Sequence, residues 1–208
     1  MRISHKYKFV FLANPQSGST SIRRILNPYS DIKSCEKPPY VHHINARKLK
    51  EHFQSMSWDW GSYFKFTTIR NPWSKMVGRY HYGLKNTASV WHKPASNAKN
   101  FSDFLDHPIV QRLSRETRID NFAFDKSGDC LVDQILKMED MDSQLTAILK
   151  NLGIEIEKVI KINTTEHDHY SLYYNDVTRN SVAEMFAFDI NYGNYQFEDY
   201  INNGVKHE

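Results

Sequence analysis

A chain of 208 residues with 40% apolar and 13% aromatic side chains is long enough to bury a core and too hydrophobic to be disordered. No apolar run approaches the roughly 18 residues that cross a bilayer, and two cysteines, Cys35 and Cys130, do not make a disulfide framework. The net charge of +3 is unevenly spread: residues 1–30 carry five cations (Arg2, Lys6, Lys8, Arg23, Arg24) and residues 61–102 carry seven (Lys65, Arg70, Lys75, Arg79, Lys85, Lys93, Lys99), with no Asp or Glu in either stretch. Two acid-free stretches predict a positive pole that attracts an anion. Without arginine-rich tracts or a recognisable nucleic-acid module, a small polyanion suits that pole better than nucleic acid. The FVFLA run is too short for a signal-peptide core. The expectation is one domain over residues 1–208, reduced and cytoplasmic, with no membrane span.

Lys8 to Leu12 has a buried-strand pattern that breaks at Asn14-Pro15 and Gly18. Ser19 to Leu26 follows as a helix with Ile22, Ile25 and Leu26 on one face, stopped by Asn27-Pro28. Residues 28 to 41 read as loop, Ala46 to Gln54 as a polar helix, and Tyr63 to Ile69 as a second strand. Asn71 as N-cap and Pro72 at the first helical position open a helix that runs to about Leu84. Residues 85 to 100 read as a long exposed loop and Phe101 to Asp106 as a short helix. Leu131 to Met138 reads as a strand, and Ser143 to Leu152 as an amphipathic helix closed by Gly153. Asp176 to Phe188 reads as a helix capped by Asp176, with Val182, Met185 and Phe186 facing inward. Strands alternating with helices predict an α/β, three-layer, P-loop-type fold with a mainly parallel central sheet, whose ligands sit at the carboxyl ends of the strands.

The first strand-to-helix junction, FVFLANPQSGSTS, has the residues of a phosphate cradle. Ser17, Gly18 and Ser19 let backbone N–H groups converge, the helix start adds partial positive charge, and Ser19, Thr20 and Ser21 offer hydroxyls. It is not a Walker A loop, because the GxxxxGK[ST] pattern and its lysine are missing. Taken alone, it is equally an ordinary Ser/Gly turn. The second junction places Arg70 between a strand and a proline-initiated helix, where a guanidinium can grip a phosphate with two donors. Two such junctions on one sheet suit a ligand with two separate phosphate groups.

These segments resemble those of sulfotransferases. FVFLANPQSGSTSIRRIL is similar to the family's 5′-phosphosulfate loop, written PKTGGTS or PRSGST, and FKFTTIRNPWSKMVGRYHY to its 3′-phosphate segment, FxFxRNPWDRLVSxY. VHHINARKLKEHF, LVDQILKMEDMDSQL and INTTEHDHYSLYYNDVTRNSVAEMFAFDINYGNYQF resemble further ordered segments of the branch that includes heparan 2-O-sulfotransferases and bacterial homologues, and the expectation here is a form without their membrane anchor. The resemblance implies a donor, 3′-phosphoadenosine 5′-phosphosulfate (PAPS), a product, adenosine 3′,5′-bisphosphate (PAP), and a hydroxyl-bearing acceptor such as a glycan or small molecule, with no metal. It also implies that Gln16, Ser17, Gly18, Ser19, Thr20 and Ser21 cradle the phosphosulfate, that Arg70 and Gly78 lie at the 3′-phosphate, and that a histidine is the base. His43 aligns with the motif histidine, and His42 is the reserve.

Other candidates have plainer readings. His167-Asp168-His169 lacks a third metal ligand and reads as a solvent loop. Trp73 suits either adenine stacking or burial, Glu139 a structural role, and Arg115 and Arg118 either an anion or a solvated helix. Two positions depart from the family pattern. Gln16 stands where the cradle has Lys or Arg, and losing such a donor at a transition state costs about 3 kcal/mol. Gly78 stands where the family has Ser, a loss of about 1 kcal/mol. Arg23, Arg24 and Arg79 are the candidates to restore the charge. The rival readings are a catalytically impaired nucleotide-binding protein of the same fold and a kinase-like phosphotransferase, the latter disfavoured by the missing Walker lysine.

Overall fold

The computed structural model describes residues 1–35, 37–155 and 167–199. Strand β1 (Arg2–Ser4) pairs antiparallel with β2 (Phe9–Leu12), with Ile3 opposite Val10. β2 leads through residues 13–18 into α1 (Ser19–Leu26), and the two-residue β3 (Ile32–Lys33) pairs antiparallel with β1 at the sheet edge. Helix α2 (Ala46–Ser55) is capped by Asn45, whose side chain accepts from the Lys48 N–H. β4 (Phe64–Ile69) runs into α3 (Pro72–Lys85), which starts as expected: Asn71 caps it by accepting from the Ser74 N–H. Four short helices follow, α4 (His92–Asn97), α5 (Phe101–Asp106), α6 (Pro108–Glu116) and α7 (Ile119–Ala123). The chain then forms β5 (Gln134–Lys137), α8 (Met141–Asn151), α9 (Asp176–Met185) and α10 (Ala187–Gly193).

The strand order is β3-β1-β2-β4-β5, with β2–β4 and β4–β5 parallel. Because β3 is antiparallel to β1, as β2 is, four strands share one direction and β1 alone opposes them. The mainly parallel sheet is therefore as predicted, with an antiparallel edge that the sequence did not announce. Alternation along β2 builds the layers. Val10 and Leu12 pack on one face against Leu49 and Phe53 of α2 and Phe122 of α7. Phe9 and Phe11 pack on the other against Ile22 of α1 and Leu145 of α8. A third cluster joins Trp73, Met76 and Val77 of α3 to Phe104, Val110 and Val182 beyond the sheet.

Several expected boundaries are corrected. The stretch 85–100 is not a loop throughout, since α4 lies within it and buries Pro94 and Ala95. A Cβ on Gly83 would sit 2.6 Å from the Trp91 carbonyl oxygen, so α4 rests directly on the α3 backbone. The helix at 176 is capped by Asn175 in a capping box with Thr178, not by Asp176, and it breaks at Phe186 before α10. The strand expected over 131–138 is confined to Gln134–Lys137. No helix among the described residues is long and apolar enough to cross a membrane.

Candidate active site

The first junction is braced against its neighbour strand. The Asn14 side-chain amide donates to the Thr68 carbonyl at 3.0 Å, and Thr67 Oγ1 donates to the Leu12 carbonyl at 2.7 Å. Ser17 is fully buried; its Oγ lies 2.8 Å from the Asn14 carbonyl and 2.8 Å from Thr68 Oγ1. The Ser17 hydroxyl is thus committed to holding the loop, and what Ser17 can offer a ligand is its backbone N–H. Gln16 (φ 59) and Gly18 (φ 76) are both left-handed, a conformation that turns successive N–H groups toward one point. Gly18 is also the N-cap of α1 and brings no side-chain acceptor. The Ser21 N–H turns back to the Gly18 carbonyl at 3.2 Å, while the N–H groups of Ser19 and Thr20 ahead of it have no capping side chain. Ser19 and Ser21 are buried and Thr20 half-buried along that turn.

The second junction emerges beside the first because β2 and β4 are parallel neighbours, with Leu12 opposite Thr67. Arg70 Nη1 reaches the Gln16 carbonyl at 3.4 Å and Nη2 donates to Ser74 Oγ at 2.8 Å. Its backbone turn is held by Glu139, just past β5. The carboxylate accepts from the Asn71 N–H at 2.9 Å and from the Tyr195 hydroxyl at 3.0 Å. Burial pushes the Arg70 pKa down and Glu139 partly restores it, yet among the described residues Arg70 has no carboxylate within ion-pair distance.

The two histidines arrive from the turn before α2. His43 Nδ1 lies 2.7 Å from the Ala13 carbonyl, which can only accept, so Nδ1 carries the proton and Nε2 keeps its lone pair. Burial of the ring first, then the charge of Arg23, lowers the His43 pKa to about 4, against the Ala13 bond that raises it. The residue as a whole is nevertheless exposed, so solvent moderates the shift; its direction, which the Arg23 charge also favours, leaves a neutral imidazole at pH 7. His42 Nδ1 lies 3.0 Å from Arg23 Nη1 and must accept there; it is also 2.7 Å from Ser34 Oγ. His43, not His42, lines a cavity of about 930 Å³ together with Pro15, Asn45, Arg47, Arg115 and Phe122.

Residues 1–196 match the sulfotransferase family. The chain belongs to that family. Among solved structures, mouse sulfotransferase SULT7A1 complexed with PAP shares the fold at a TM-score of 0.51 and 13% identity, over 90% of this chain and 85% of that one. No curated protein gives a match.

The departures from the sulfotransferase pattern now have surroundings. A Cβ on Gly78 would lie 3.0 Å from Arg70 Nη1, so the glycine lets the guanidinium settle against α3 where a serine would press on it. Of the three cations that could replace a lysine at Gln16, Arg79 is fully buried and turned to Ser114 Oγ (2.9 Å) and Thr117 Oγ1, away from the loop. Arg24 is exposed on α1. Arg23 alone touches the cradle, with Nη2 3.2 Å from Thr20 Oγ1.

Trp73 is buried, donates from Nε1 to the Arg179 carbonyl at 3.0 Å and meets Phe197 edge-on, which is the plainer of its two readings. Arg118 pairs with Asp120 at 2.7 Å, whereas Arg115 lines the cavity. His167 stacks on His81, and among the described residues no three potential ligands gather around a metal site. Sequence reading missed the bracing role of Ser17 and the Asn71–Glu139–Tyr195 bonds. The first is invisible locally, because Thr68 is 51 residues away.

Proposed function

We propose that this sulfotransferase moves the sulfuryl group of PAPS to a hydroxyl of an acceptor held in the cavity beside His43. The convergence of an uncapped helix start, Arg70 and a neutral His43 with a free Nε2 lone pair at one edge of the sheet carries this reading. The donor-binding groups fit their ligand chemically. The N–H groups of residues 17–20 suit the phosphosulfate, and Arg70, lacking a carboxylate partner among the described residues, suits the 3′-phosphate.

PAPS supplies an activated sulfuryl group with a phosphate as leaving group. In the transfer the bond from sulfur to the phosphate oxygen breaks, the bond from sulfur to the acceptor oxygen forms, and the hydroxyl proton passes to His43 Nε2. A neutral imidazole is the competent form, which the cations around His43 favour. The acceptor is a saccharide or another small hydroxyl compound, and the enzyme works in a reducing compartment such as the cytoplasm, where the two free, exposed cysteines are stable. One observation favours a second reading, a nucleotide-binding protein with impaired catalysis: Gln16 brings no charge to the loop.

The test is thermal stability with PAP, against ADP and ATP–magnesium, followed by donor turnover on a panel of hydroxyl acceptors. PAP at about 100 times its Kd should add roughly 2.7 kcal/mol. His43→Ala should keep that shift and lose about 10²–10⁴ in kcat. No shift with PAP, or a larger one with ATP–magnesium, overturns the reading.

A further inference from the structure

We infer that Arg23 is the transition-state cation of this enzyme, placed on helix α1 in compensation for the uncharged Gln16 of the loop; this rests on the sulfuryl transfer proposed above. Arg23 lies one turn past Thr20. Its guanidinium bridges the cradle and the histidines, with Nη2 3.2 Å from Thr20 Oγ1 and Nη1 3.0 Å from His42 Nδ1. Its position is therefore between Thr20 of the phosphosulfate loop and His42, the neighbour of the proposed base, and its charge is felt at His43.

The charge of Arg23 is not spent on the protein. The described ion pairs are Lys65–Asp133, Arg112–Glu116 and Arg118–Asp120, and none involves Arg23. Its Nε is buried with no hydrogen-bond partner among the described residues. A half-buried guanidinium without a counter-ion is costly to keep, and an anion arriving at Thr20 would repay it. Its neighbours sharpen the point, because Arg2 and His43 both have their pKa values lowered partly by the charge of Arg23. The other candidates are removed by geometry, Arg79 being turned into the core and Arg24 exposed. A cation aimed where negative charge develops accelerates transfer whether it stands on a loop or on a helix, provided it is preorganised. The bonds to Thr20 and His42 supply that preorganisation.

The experiment compares Arg23→Gln, Arg23→Lys, Gln16→Lys and the double variant Gln16→Lys/Arg23→Gln in the full chain. Two titrations are run, PAP alone and then orthovanadate onto the PAP-loaded protein as a mimic of the transferring group. PAP keeps the 5′-phosphate but carries no sulfuryl group, so Arg23→Gln should weaken PAP binding only a few-fold and vanadate binding about tenfold to a hundredfold. Arg23→Lys should keep most of the vanadate affinity. Gln16→Lys should restore it in the Arg23→Gln background, because the charge returns by the other route. With an acceptor in hand, kcat should follow the same order.

Unchanged vanadate affinity in Arg23→Gln, or a double variant as weak as Arg23→Gln, overturns the inference. So does a loss of PAP affinity in Arg23→Gln as large as the loss of vanadate affinity, which would make the residue part of the phosphate cradle. Wild-type protein that binds PAP but not vanadate overturns the inference and leaves the donor site standing. Wild-type protein that fails to bind PAP overturns the donor site itself, and the inference with it.

Discussion

Replacing Gly18 by alanine tests the loop at its tightest point, and Gly153 provides the control. Both glycines are left-handed, at φ 76 and φ 70. A Cβ on Gly153 would meet nothing within 4 Å, whereas one on Gly18 would lie 3.2 Å from Met141 Sδ and 3.3 Å from Met138 Cγ. Gly153→Ala therefore carries only the left-handed backbone cost, about 1 kcal/mol. Gly18→Ala carries the same cost plus overpacking against two thioethers, about 1 kcal/mol more because methionine chains yield. For a chain of this length each kcal/mol lowers Tm by about 2–4 °C. Thermal unfolding should thus fall by about 2–4 °C for Gly153→Ala and about 4–8 °C for Gly18→Ala. A PAP titration should find the Gly153 variant unchanged and the Gly18 variant weakened, since the cradle N–H groups move with the loop. Equal Tm losses would refute the packing of the loop on Met138 and Met141. A Gly18 variant with intact PAP affinity would refute its place in the donor site.

Other outcomes follow from single groups. Glu139→Ala leaves the buried Asn71 N–H without its acceptor, a cost of about 1–3 kcal/mol. It should also weaken PAP by loosening the turn that carries Arg70. Glu139→Gln, whose amide oxygen can still accept, should recover part of both losses, and unchanged PAP affinity in Glu139→Ala would separate Glu139 from Arg70. His43 has a folded pKa lowered from 6.5 to about 4, so its base form persists as pH falls. The acid limb of the kcat/KM profile should lie well below 6.5, and a limb at 6.5 would show an uncrowded ring. Lys75 is fully buried and donates to the Thr117 carbonyl at 3.0 Å; burial, then Arg79, lowers its pKa from 10.5 to about 7. Between those values the folded state binds fewer protons than the unfolded state, so this residue's contribution to stability rises with pH. The unfolding free energy of wild type relative to Lys75→Met should climb from pH 7 toward pH 10, and a flat difference would contradict the buried environment.

The Asn71 cap and the two junctions were legible because their causes are local. Asn71 caps its helix through a side chain that reaches only three residues ahead, to the Ser74 N–H, and Ser19–Leu26 has its apolar face and its stop signal in adjacent turns. The short helix α4 was not legible, since its polar sequence has only a few buried anchors and its support is the bare backbone at Gly83. The short strands β1 and β3, three and two residues long, carry too little pattern to stand out and depend on pairing with residues elsewhere.

The same division runs through the site. Residue types alone determined the two strand-to-helix junctions, their order and the absence of charge at Gln16, because backbone turns and helix starts are built from neighbours in the chain. Which groups meet was decided by the tertiary structure. The parallel pairing of β2 with β4 sets Arg70 against the Gln16 carbonyl, the turn before α2 delivers His43 to Ala13, and Ser17 is consumed by Thr68. Of three arginines equivalent on paper, helix rotation and core packing leave only Arg23 at the cradle. A side chain's direction depends on the surface its element buries, and that surface is contributed by residues distant in sequence.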